Sequence, residues 1–351
     1  MYNKNVNSVE MNMDQSKEEL AIIQKAAEQG DPESEYRLGL LYIDIGDEES
    51  LIKARNWFLS AYKHGHPDAK RMMSEAGKML TDVINHSDSP SNPNEKAFME
   101  CITRCRNDRF LSKSIEDSIS GQRIWTEDMD ITIGDRRFGT TEVVVNTDKS
   151  FEAAAKEEGR VCVLNFANIF APCDMSFSSD TQEEFLCRTS TLFPCINDET
   201  ALNGFYRPHG SIRKDEFNSD LIYTPDVVVF RTDSKPHRDL PRSEWFRTNI
   251  ITCAAPYNNG FVSDNETERI FIHRMERIVR ASIHYGVDVL ILGAFGCGAF
   301  GNNPRVVAKV SKRTVDKYSG YLRKVIFPIP VSAYNNNYEI FESVLYGEDG
   351  E

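Results

Sequence analysis

Two adjacent glutamates, Glu183 and Glu184, are the residues whose type and spacing are best suited to chemistry. They follow an apolar segment at residues 161–167 (VCVLNFA) and a polar turn, and they open an amphipathic segment at residues 182–193 (QEEFLCRTSTLF). Two carboxylates in different environments can divide acid–base work, because the one with the raised pKa holds a proton while the other stays ionised. The pair is therefore a candidate catalytic site.

A structural interpretation of the same glutamates fits their spacing equally well. Asp180 with Glu183, and Thr181 with Glu184, have the i, i+3 spacing of a capping box, whose side chains bond the unpaired backbone N–H groups of a helix start. Such a box contributes about 1 kcal/mol, and the helix dipole favours acidic residues in the first turn. The local pattern leaves both interpretations open.

A glycine-rich loop at residues 293–304 (GAFGCGAFGNNP) is a second candidate site. It follows the apolar run 287–295, and its glycines allow backbone N–H groups to turn toward an anion, with Asn303 as the cap and Pro304 in the first turn of the next helix. The segment 296–301 also matches the G-x-G-x-x-G pattern of nicotinamide-binding folds. That pattern needs an acidic residue about 20 residues further on, and the segment YLRKVIFPIPVSAY offers none.

The elements that must position both candidates alternate between strand and helix. Short apolar runs are separated by helical segments such as residues 267–286, so we expect an α/β domain with a mixed sheet flanked by helices. Ligands of such folds bind at the loops beyond the carboxyl ends of the strands. The predicted strands are residues 141–146, 161–167, 226–230, 249–256, 287–295 and 324–330.

The N-terminal part is internally repetitive. Gly65 follows Gly30 by 35 residues and Pro67 follows Pro32 by the same interval, close to the roughly 34 residues of a tetratricopeptide unit. Each unit reads as an Ala-rich helix, a Gly turn and a second helix, which resembles SEL-type repeats and implies a protein-binding surface. The predicted organisation is a loosely ordered start at residues 1–17, helical repeats at 18–84, a linker at 85–94 rich in Ser, Asn and Pro, and the α/β domain at 95–345.

The composition limits the possible functions. The chain has 351 residues, 40% hydrophobic and 27% charged, as in a globular protein. A net charge of −13 argues against general nucleic-acid binding, although a local basic pocket could hold a phosphate. Apolar runs fall far short of the roughly 20 residues of a membrane helix, and the polar start lacks a targeting segment, so we expect a cytoplasmic protein without a membrane association.

The cysteines and histidines predict no metal site and no cofactor. Eight scattered cysteines without a C-x-x-C motif favour reduced thiols, and Cys101 and Cys105 are expected on a buried helix face. His209 and His237 are expected in loops, where a lone histidine is most often solvated or structural. A further group is expected on the polar face of one helix: His273, Arg274, Arg277 and His284.

Five ordered blocks give the α/β part a resemblance to a known family. The segments VVVNTDKSFEAAAKEEGRVCVLNFAN, QEEFLCRTSTLF, IYTPDVVVFRTD, ITCAAPYN and VLILGAFGCGAFGNNPRVVA are similar to the microbial-type poly(ADP-ribose) glycohydrolases, which have a macrodomain fold. The resemblance implies that Glu184 is the general acid, Glu183 positions the ribose hydroxyls, Gln182 supports the loop and the glycine-rich loop holds a diphosphate. By the same resemblance, the substrate-binding residues are Gln182, Asn165, Asp174, Gly293, Phe295, Gly296, Cys297, Gly298, Ala299, Phe300 and Gly301.

One segment departs from that family's signature. Cys173, Asp174 and Met175 stand where the family has three glycines, and Ala171 replaces an Asn, while the six-residue spacing to Gln-Glu-Glu is kept. Without glycines the backbone cannot approach a substrate as closely. Three functions stay open: an ADP-ribosyl glycohydrolase acting on protein-linked or poly(ADP-ribose), a reader that binds ADP-ribose without efficient turnover, and a hydrolase of another ADP-ribose-type nucleotide. ADP-ribose or an ADP-ribosylated protein is the expected partner.

Overall fold

The computed structural model describes residues 23–27, 29–86, 92–175, 177–209, 218–232, 234–258 and 263–347, with side chains omitted at 48, 49, 81–86, 174 and 175. The chain divides into two compact units, Met1–Ser91 and Asn92–Glu351. The start predicted to be loosely ordered lies outside the described residues, as does the middle of the predicted linker, residues 87–91. In the ranges above, no helix is long and apolar enough to cross a membrane.

The first unit is built from helices α1 (Pro32–Ile45), α2 (Glu48–Lys63) and α3 (Ala69–His86), preceded by helical residues 23–27. Gly30 and Gly65 have φ of 83° and 92°, so the two glycines of the sequence repeat occupy equivalent left-handed turns. Phe58 packs against the backbone of Gly39, where a Cβ would lie 2.5 Å from its ring. Each of the two glycines therefore lies in a turn between one helix and the next.

The second unit contains one mixed seven-stranded sheet, in the order β1-β4-β5-β3-β6-β7-β2. Five neighbouring strands, from β5 to β2 in that order, are parallel, and β4 and β1 are antiparallel additions at one edge. The predicted mixed α/β sheet is confirmed. The strands are β1 (Arg123–Trp125), β2 (Glu142–Asn146), β3 (Val161–Phe166), β4 (Leu221–Val229), β5 (Phe246–Cys253), β6 (Val289–Ile291) and β7 (Lys324–Pro328).

Helices cover both faces of this sheet, because successive side chains of a strand point to opposite sides. Leu164 of β3 belongs to one apolar core and Val163 to the other. The first core is covered by α11 (Asp264–His284), α12 (Pro304–Lys317) and α13 (Asn337–Tyr346). The second is covered by α4 (Pro93–Asn107), α6 (Ser150–Ala154), α7 (Gln182–Thr189), α8 (Leu192–Ile196), α9 (Glu199–Ala201) and π-helical Leu202–Tyr206, which continues into α10 (Arg207–His209). Helix α5 (Arg109–Gly121) instead packs on β4 through a separate cluster that includes Leu111, Val228 and Phe230.

Several strands differ from the sequence prediction, and β5 begins and ends three residues before the predicted range 249–256. β4 begins at Leu221, five residues before the predicted start, because the ladder continues through Pro225 with a bulge in which Asp226 has a φ of 53°. β6 is limited to Val289–Ile291, since the chain leaves the sheet before Gly293. β1 is three residues long and carries no clear sequence pattern.

Buried polar residues correct two further predictions. Arg274 and Arg277 are buried rather than on a polar face, and they donate to backbone carbonyls of neighbouring loops, including Ala254 at 2.6 Å and Ser219 at 3.0 Å. His209 is not in a loop: it ends a helical segment, is 1% exposed and has Nδ1 2.6 Å from the carbonyl oxygen of Phe205.

The eight cysteines are unpaired thiols. Cys101 and Cys105 lie on the buried face of α4, as predicted. Over the described ranges, no group of three or more His, Cys, Asp or Glu side chains could hold a metal ion.

Candidate active site

A pocket of about 580 Å³ lies at the carboxyl edge of the five parallel strands. Each strand contributes residues that follow it, so the pocket depends on the whole parallel part of the sheet. Both motifs singled out in the sequence line it. The contributions are Ala255 after β5, Phe166 at the end of β3 and Asn168 after it, Ala294, Gly296, Gly298, Ala299 and Phe300 after β6, Pro328, Ile329 and Pro330 at the end of β7, Lys149 and Ser150 after β2, and residues 180–186 at the start of α7.

Glu183 is held at the pocket by hydrogen bonds to both oxygens of its carboxylate. Its Oε1 accepts from Nδ2 of Asn165 at 3.0 Å, and its Oε2 accepts from the backbone N–H of Asn168 at 2.9 Å. Burial, together with the charge of Glu184, raises the pKa of Glu183 to about 8, while the bonds from Asn168 and Asn165 oppose that rise. Because the two carboxylates are coupled, the pair retains a proton at neutral pH.

Glu184 lines the same pocket and is almost fully buried. The hydroxyl of Thr181, the residue before α7, donates to its Oε2. The reciprocal capping boxes allowed by the sequence are therefore wrong: the Thr181 side chain caps no backbone N–H of α7, and Glu183 faces the pocket. Asp180 instead accepts from Asn94 Nδ2 at 2.9 Å.

Gln182 connects the start of α7 to the end of β3. Its Nε2 donates to the carbonyl oxygen of Leu164 at 2.7 Å and to Oγ of Ser150 at 3.1 Å, and its Oε1 accepts from the backbone N–H of Phe166 at 2.9 Å. These three bonds fix the orientation of the helix turn that carries both glutamates.

The glycine-rich loop forms another wall of the pocket. A Cβ at Gly296, whose φ is 76°, would lie 2.6 Å from Cβ of Ala255, so the tight turn requires glycine there. Over the described part of the chain, the backbone N–H groups of Gly298, Ala299 and Phe300 donate to no acceptor. These adjacent donors, close to the start of α12, suit an anion such as a diphosphate.

The start of α12 has the predicted cap. Asn303 accepts a hydrogen bond from the backbone N–H of Arg305 at 3.0 Å, and Pro304 occupies the first helical position. The loop therefore ends in a helix N-terminus, as its sequence indicated.

The segment that lacks the family's three glycines forms a short 3₁₀ helix, Pro172–Met175. Cys173 has a φ of 56°, a left-handed conformation that favours glycine, and its side chain is fully buried. The backbone thus keeps a glycine-like conformation at the first of the three positions. The side chains of Asp174 and Met175 lie outside the described part of the structure, so a substrate contact by Asp174 stays a prediction.

Several predicted binding residues lie behind the pocket wall. Asn165 and Phe295 are fully buried and do not line the pocket: Asn165 bonds Glu183, and Phe295 packs against Phe166 with ring centroids 5.5 Å apart. In this structure both side chains support the wall, and direct contact of these two residues with a substrate stays a prediction. Gly293, Cys297 and Gly301 also shape the loop without lining the pocket.

Sequence reasoning missed another part of the wall. Lys149, Ser150 and Phe185 line the pocket on the side of α6 and α7, and Asn335 and Asn337 line it at the start of α13. Lys149 and Ser150 lie three and four residues after the predicted strand 141–146. That position, just beyond the carboxyl end of a strand, was the signal that could have identified them.

Comparisons with known proteins point to one family. The family model "Microbial-type PARG, catalytic domain", where PARG is poly(ADP-ribose) glycohydrolase, matches residues 101–232. The matched part of the chain includes Gln182, Glu183 and Glu184 but ends before the glycine-rich loop. No curated protein matches the chain significantly in sequence.

Solved structures of poly(ADP-ribose) glycohydrolases share the fold. The enzyme from Thermomonospora curvata matches with a TM-score of 0.62 and 24% identity, over 71% of this chain and 97% of that one. The enzyme from Deinococcus radiodurans in complex with ADP-ribose matches with a TM-score of 0.57 and 24% identity, over 67% of this chain and 98% of that one. The predicted class, a hydrolase acting on glycosyl bonds, agrees with these matches.

Proposed function

We propose that this protein is a poly(ADP-ribose) glycohydrolase, which cleaves ribose O-glycosidic bonds of poly(ADP-ribose) or protein-linked ADP-ribose. The observation that carries the proposal is the placement of Glu183 and Glu184 in one pocket with the unbonded amides of the glycine-rich loop. One wall suits a diphosphate and the other carries an acid–base pair. The matching family and the relative with bound ADP-ribose support this substrate.

The chemistry assigns a separate task to each glutamate. Glycosidic cleavage proceeds through an oxocarbenium-like state, which needs a proton for the departing oxygen and a polar environment for the forming cation. Following the resemblance to the family, we assign the proton donor to Glu184 and the positioning of the ribose hydroxyls to Glu183. The raised pKa of Glu183 keeps a proton on the coupled pair, and Glu184 is the member that we propose passes it to the departing oxygen. The bonds from Asn165 and Asn168 fix Glu183 for its positioning task. Water then attacks the anomeric carbon and gives its proton to Glu184, which is a carboxylate after its own proton has left with the departing oxygen.

A catalytically weak reader of ADP-ribose is the second candidate. Cys173 and Met175 stand where the matching family has glycines, and Cys173 occupies its position in a conformation that costs a non-glycine residue about 1 kcal/mol or more. A third candidate, a hydrolase of another ADP-ribose-type nucleotide, rests on the same substitutions.

We also propose that the first unit is a SEL- or tetratricopeptide-like module that directs the enzyme to a protein partner. The α/β unit is proposed to be of macrodomain type, and the protein is proposed to be cytoplasmic. The equivalent turns at Gly30 and Gly65 support the repeat. Two apolar side chains of α1, Leu41 and Ile45, are 41% and 60% exposed and are available to a partner.

The deciding experiment uses the full chain with labelled poly(ADP-ribose). We expect release of ADP-ribose by the wild type and a loss of about 10²-fold or more in turnover for Glu184→Gln, with ADP-ribose affinity nearly unchanged. Glu116→Gln, on the exposed surface of α5, is the matched control. Tight binding of ADP-ribose without release by the wild type would establish the reader instead, and absence of both would leave only the fold in common with the family.

A further inference from the structure

Asn302 lies at the end of the glycine-rich loop, behind the wall of the pocket. It is 3% exposed and does not line the pocket. Its Nδ2 donates to two backbone carbonyl oxygens, that of Pro256 at 2.8 Å and that of Gly296 at 2.9 Å, and its backbone N–H donates to the same oxygen of Gly296 at 3.2 Å. One buried side chain therefore closes the loop at its base and joins it to the segment after β5.

The orientation of the Asn302 amide is determined by these partners. Two carbonyl oxygens within 2.9 Å of one atom require a donor at that atom, so the nitrogen and not the oxygen of the amide faces them. A Cβ at Gly296 would lie 2.9 Å from this nitrogen. The glycine at position 296 therefore leaves the space that the Asn302 amide occupies, and the two residues depend on each other.

The three unbonded amides, at residues 298–300, lie within the part of the loop that Asn302 closes. The carbonyl oxygen of Gly298 accepts from the backbone N–H of Gly301 at 2.9 Å. Because the C=O and the next N–H of a trans peptide point in opposite directions, this bond also fixes the direction of the N–H of Ala299. The loop thus uses carbonyl groups for its own bonds, while these three N–H groups bond no acceptor over the described residues.

A second contact joins the loop to the segment after β5. The backbone N–H of Asn258 donates to the carbonyl oxygen of Phe300 at 2.9 Å, and the rings of Tyr257 and Phe300 meet edge to face with centroids 6.0 Å apart. Ala255 is the residue of this segment that lines the pocket. The segment after β5 therefore supports the pocket mainly by holding the glycine-rich loop.

A site built from backbone amides binds an anion tightly when the amides are in place beforehand, because ordering a loop during binding reduces the affinity. We propose that Asn302 is a positioning residue for anion binding, which holds the amides of residues 298–300 in place for the diphosphate of ADP-ribose. It acts through the loop, since it does not line the pocket. The inference rests on the proposed function and deepens it, because it names a residue on which the proposed anion site depends.

The test uses the full chain carrying Asn302→Ala and measures ADP-ribose binding by calorimetry and turnover on poly(ADP-ribose). Loss of the side-chain bonds should lower the affinity for ADP-ribose at least about tenfold. KM should rise, whereas kcat should stay within about threefold of the wild-type value, because Glu183 and Glu184 are unchanged. Asn302→Asp keeps the shape of the side chain but replaces the donor by an acceptor, and it should weaken binding at least as much.

Asn249→Ala is the matched control. Asn249 is also a buried asparagine whose Nδ2 donates to a backbone carbonyl oxygen, that of Val161 at 2.8 Å. It pairs with Cys162 near the amino end of β3, at the edge of the sheet away from the pocket. Asn249→Ala should therefore lower the free energy of unfolding but leave the affinity for ADP-ribose and KM unchanged.

Hydrogen exchange measures the loop in the absence of a ligand. In Asn302→Ala the backbone amides of residues 301 and 302 should exchange faster than in the wild type, because the base of the loop opens locally, whereas in Asn249→Ala they should not. If Asn302→Ala does not fold, Asn302→Ser is the second variant. Its hydroxyl keeps one donor in place of the amide, so we expect a smaller loss of affinity in the same direction.

The outcomes distinguish this inference from the proposed function. Wild-type affinity for ADP-ribose in the Asn302 variants, with faster exchange of the loop amides, would overturn the inference and leave the proposed function standing. Equal losses of affinity in Asn302→Ala and Asn249→Ala would also overturn it, because the loss would then follow from stability alone. If the wild type does not bind ADP-ribose, the proposed function and the inference are both wrong.

Discussion

Nδ2 of Asn165 lies 3.0 Å from Oε1 of Glu183, so a polar residue near the end of β3 holds a carboxylate in the first turn of α7. The same nitrogen is 3.3 Å from Oγ1 of Thr252 on β5. Both asparagine and glutamate are buried, and the bond is therefore stronger than it would be in water. The position of Glu183 depends on the sheet itself and not only on the loop that precedes α7.

Replacing Asn165 should affect both stability and the pH dependence of activity. Asn165→Ala removes a donor from a buried carboxylate, so we expect the free energy of unfolding to fall by about 1–3 kcal/mol. Because the bond from Asn165 lowers the pKa of Glu183, its loss should raise that pKa. The limb of the pH–rate profile that reports the titration of Glu183 should therefore move to higher pH. Thr252→Val, which leaves the Asn165–Glu183 bond in place, should not move that limb; an equal shift in both variants would contradict the assignment.

Glu183 also predicts the pH dependence of folding. Its pKa is raised to about 8 from an ordinary 4.5, so between these values the folded protein binds more protons than the unfolded chain. The contribution of Glu183 to the free energy of unfolding therefore falls as pH rises through this window. Glu183→Gln should lose this dependence, as measured by urea unfolding at several pH values, whereas Glu116→Gln should retain it. Parallel curves for wild type and Glu183→Gln would contradict the raised pKa.

A substitution at Gly298 tests the proposed anion site without disturbing the fold. A Cβ at this position meets no atom within 4 Å, and Gly298 lines the pocket together with Ala299 and Phe300. Gly298→Val should therefore fold normally but weaken ADP-ribose binding by about tenfold or more, because its side chain occupies the cradle. Gly139→Val, at an equally open position outside the pocket, is the control for calorimetry. Unchanged affinity in Gly298→Val would place the ligand elsewhere.

The missing glycines can be restored. If the absence of glycines limits turnover, replacing Cys173, Asp174 and Met175 by glycine should raise turnover on poly(ADP-ribose) by about fivefold or more. The backbone could then approach the substrate more closely, and the residue at position 173 would adopt its left-handed conformation without strain. The single variant Cys173→Gly relieves the strain alone and is the matched comparison. Unchanged turnover in the triple variant, with ADP-ribose still bound, would show that this loop does not limit catalysis.

The residues whose roles were predicted correctly from the sequence are those whose roles depend on neighbouring residues in the chain. The turn at Gly296, the cap at Asn303 and the proline at Pro304 each depend on a few neighbouring residues, and sequence spacing is enough to identify them. The glutamate pair was located for the same reason. Its capping interpretation could not be rejected from sequence, because only the tertiary structure brings Asn165 to Glu183.

Residues whose role depends on distant contacts were missed or misplaced. Arg274 and Arg277 were expected on a polar face, yet they are buried because carbonyl groups of remote loops satisfy them. Lys149 joins the pocket only because β2 lies parallel to β7 at the edge of the sheet. Helical periodicity and charge contain no information on such pairings.

The strand order has a consequence for how the site opens. β3 and β6 are neighbours, with at least two strands beyond each of them, so both active-site loops extend from the interior of the sheet. Fraying at β1 or β2 does not release either loop. We therefore expect the amide protons of β3 to exchange with solvent only when the whole unit unfolds, whereas the unbonded amides of Gly298, Ala299 and Phe300 exchange rapidly until a ligand protects them. In a hydrogen-exchange experiment, the slowest amides should thus lie on β3, and the amides whose exchange changes most on ligand binding should lie in the loop that follows the adjacent strand β6.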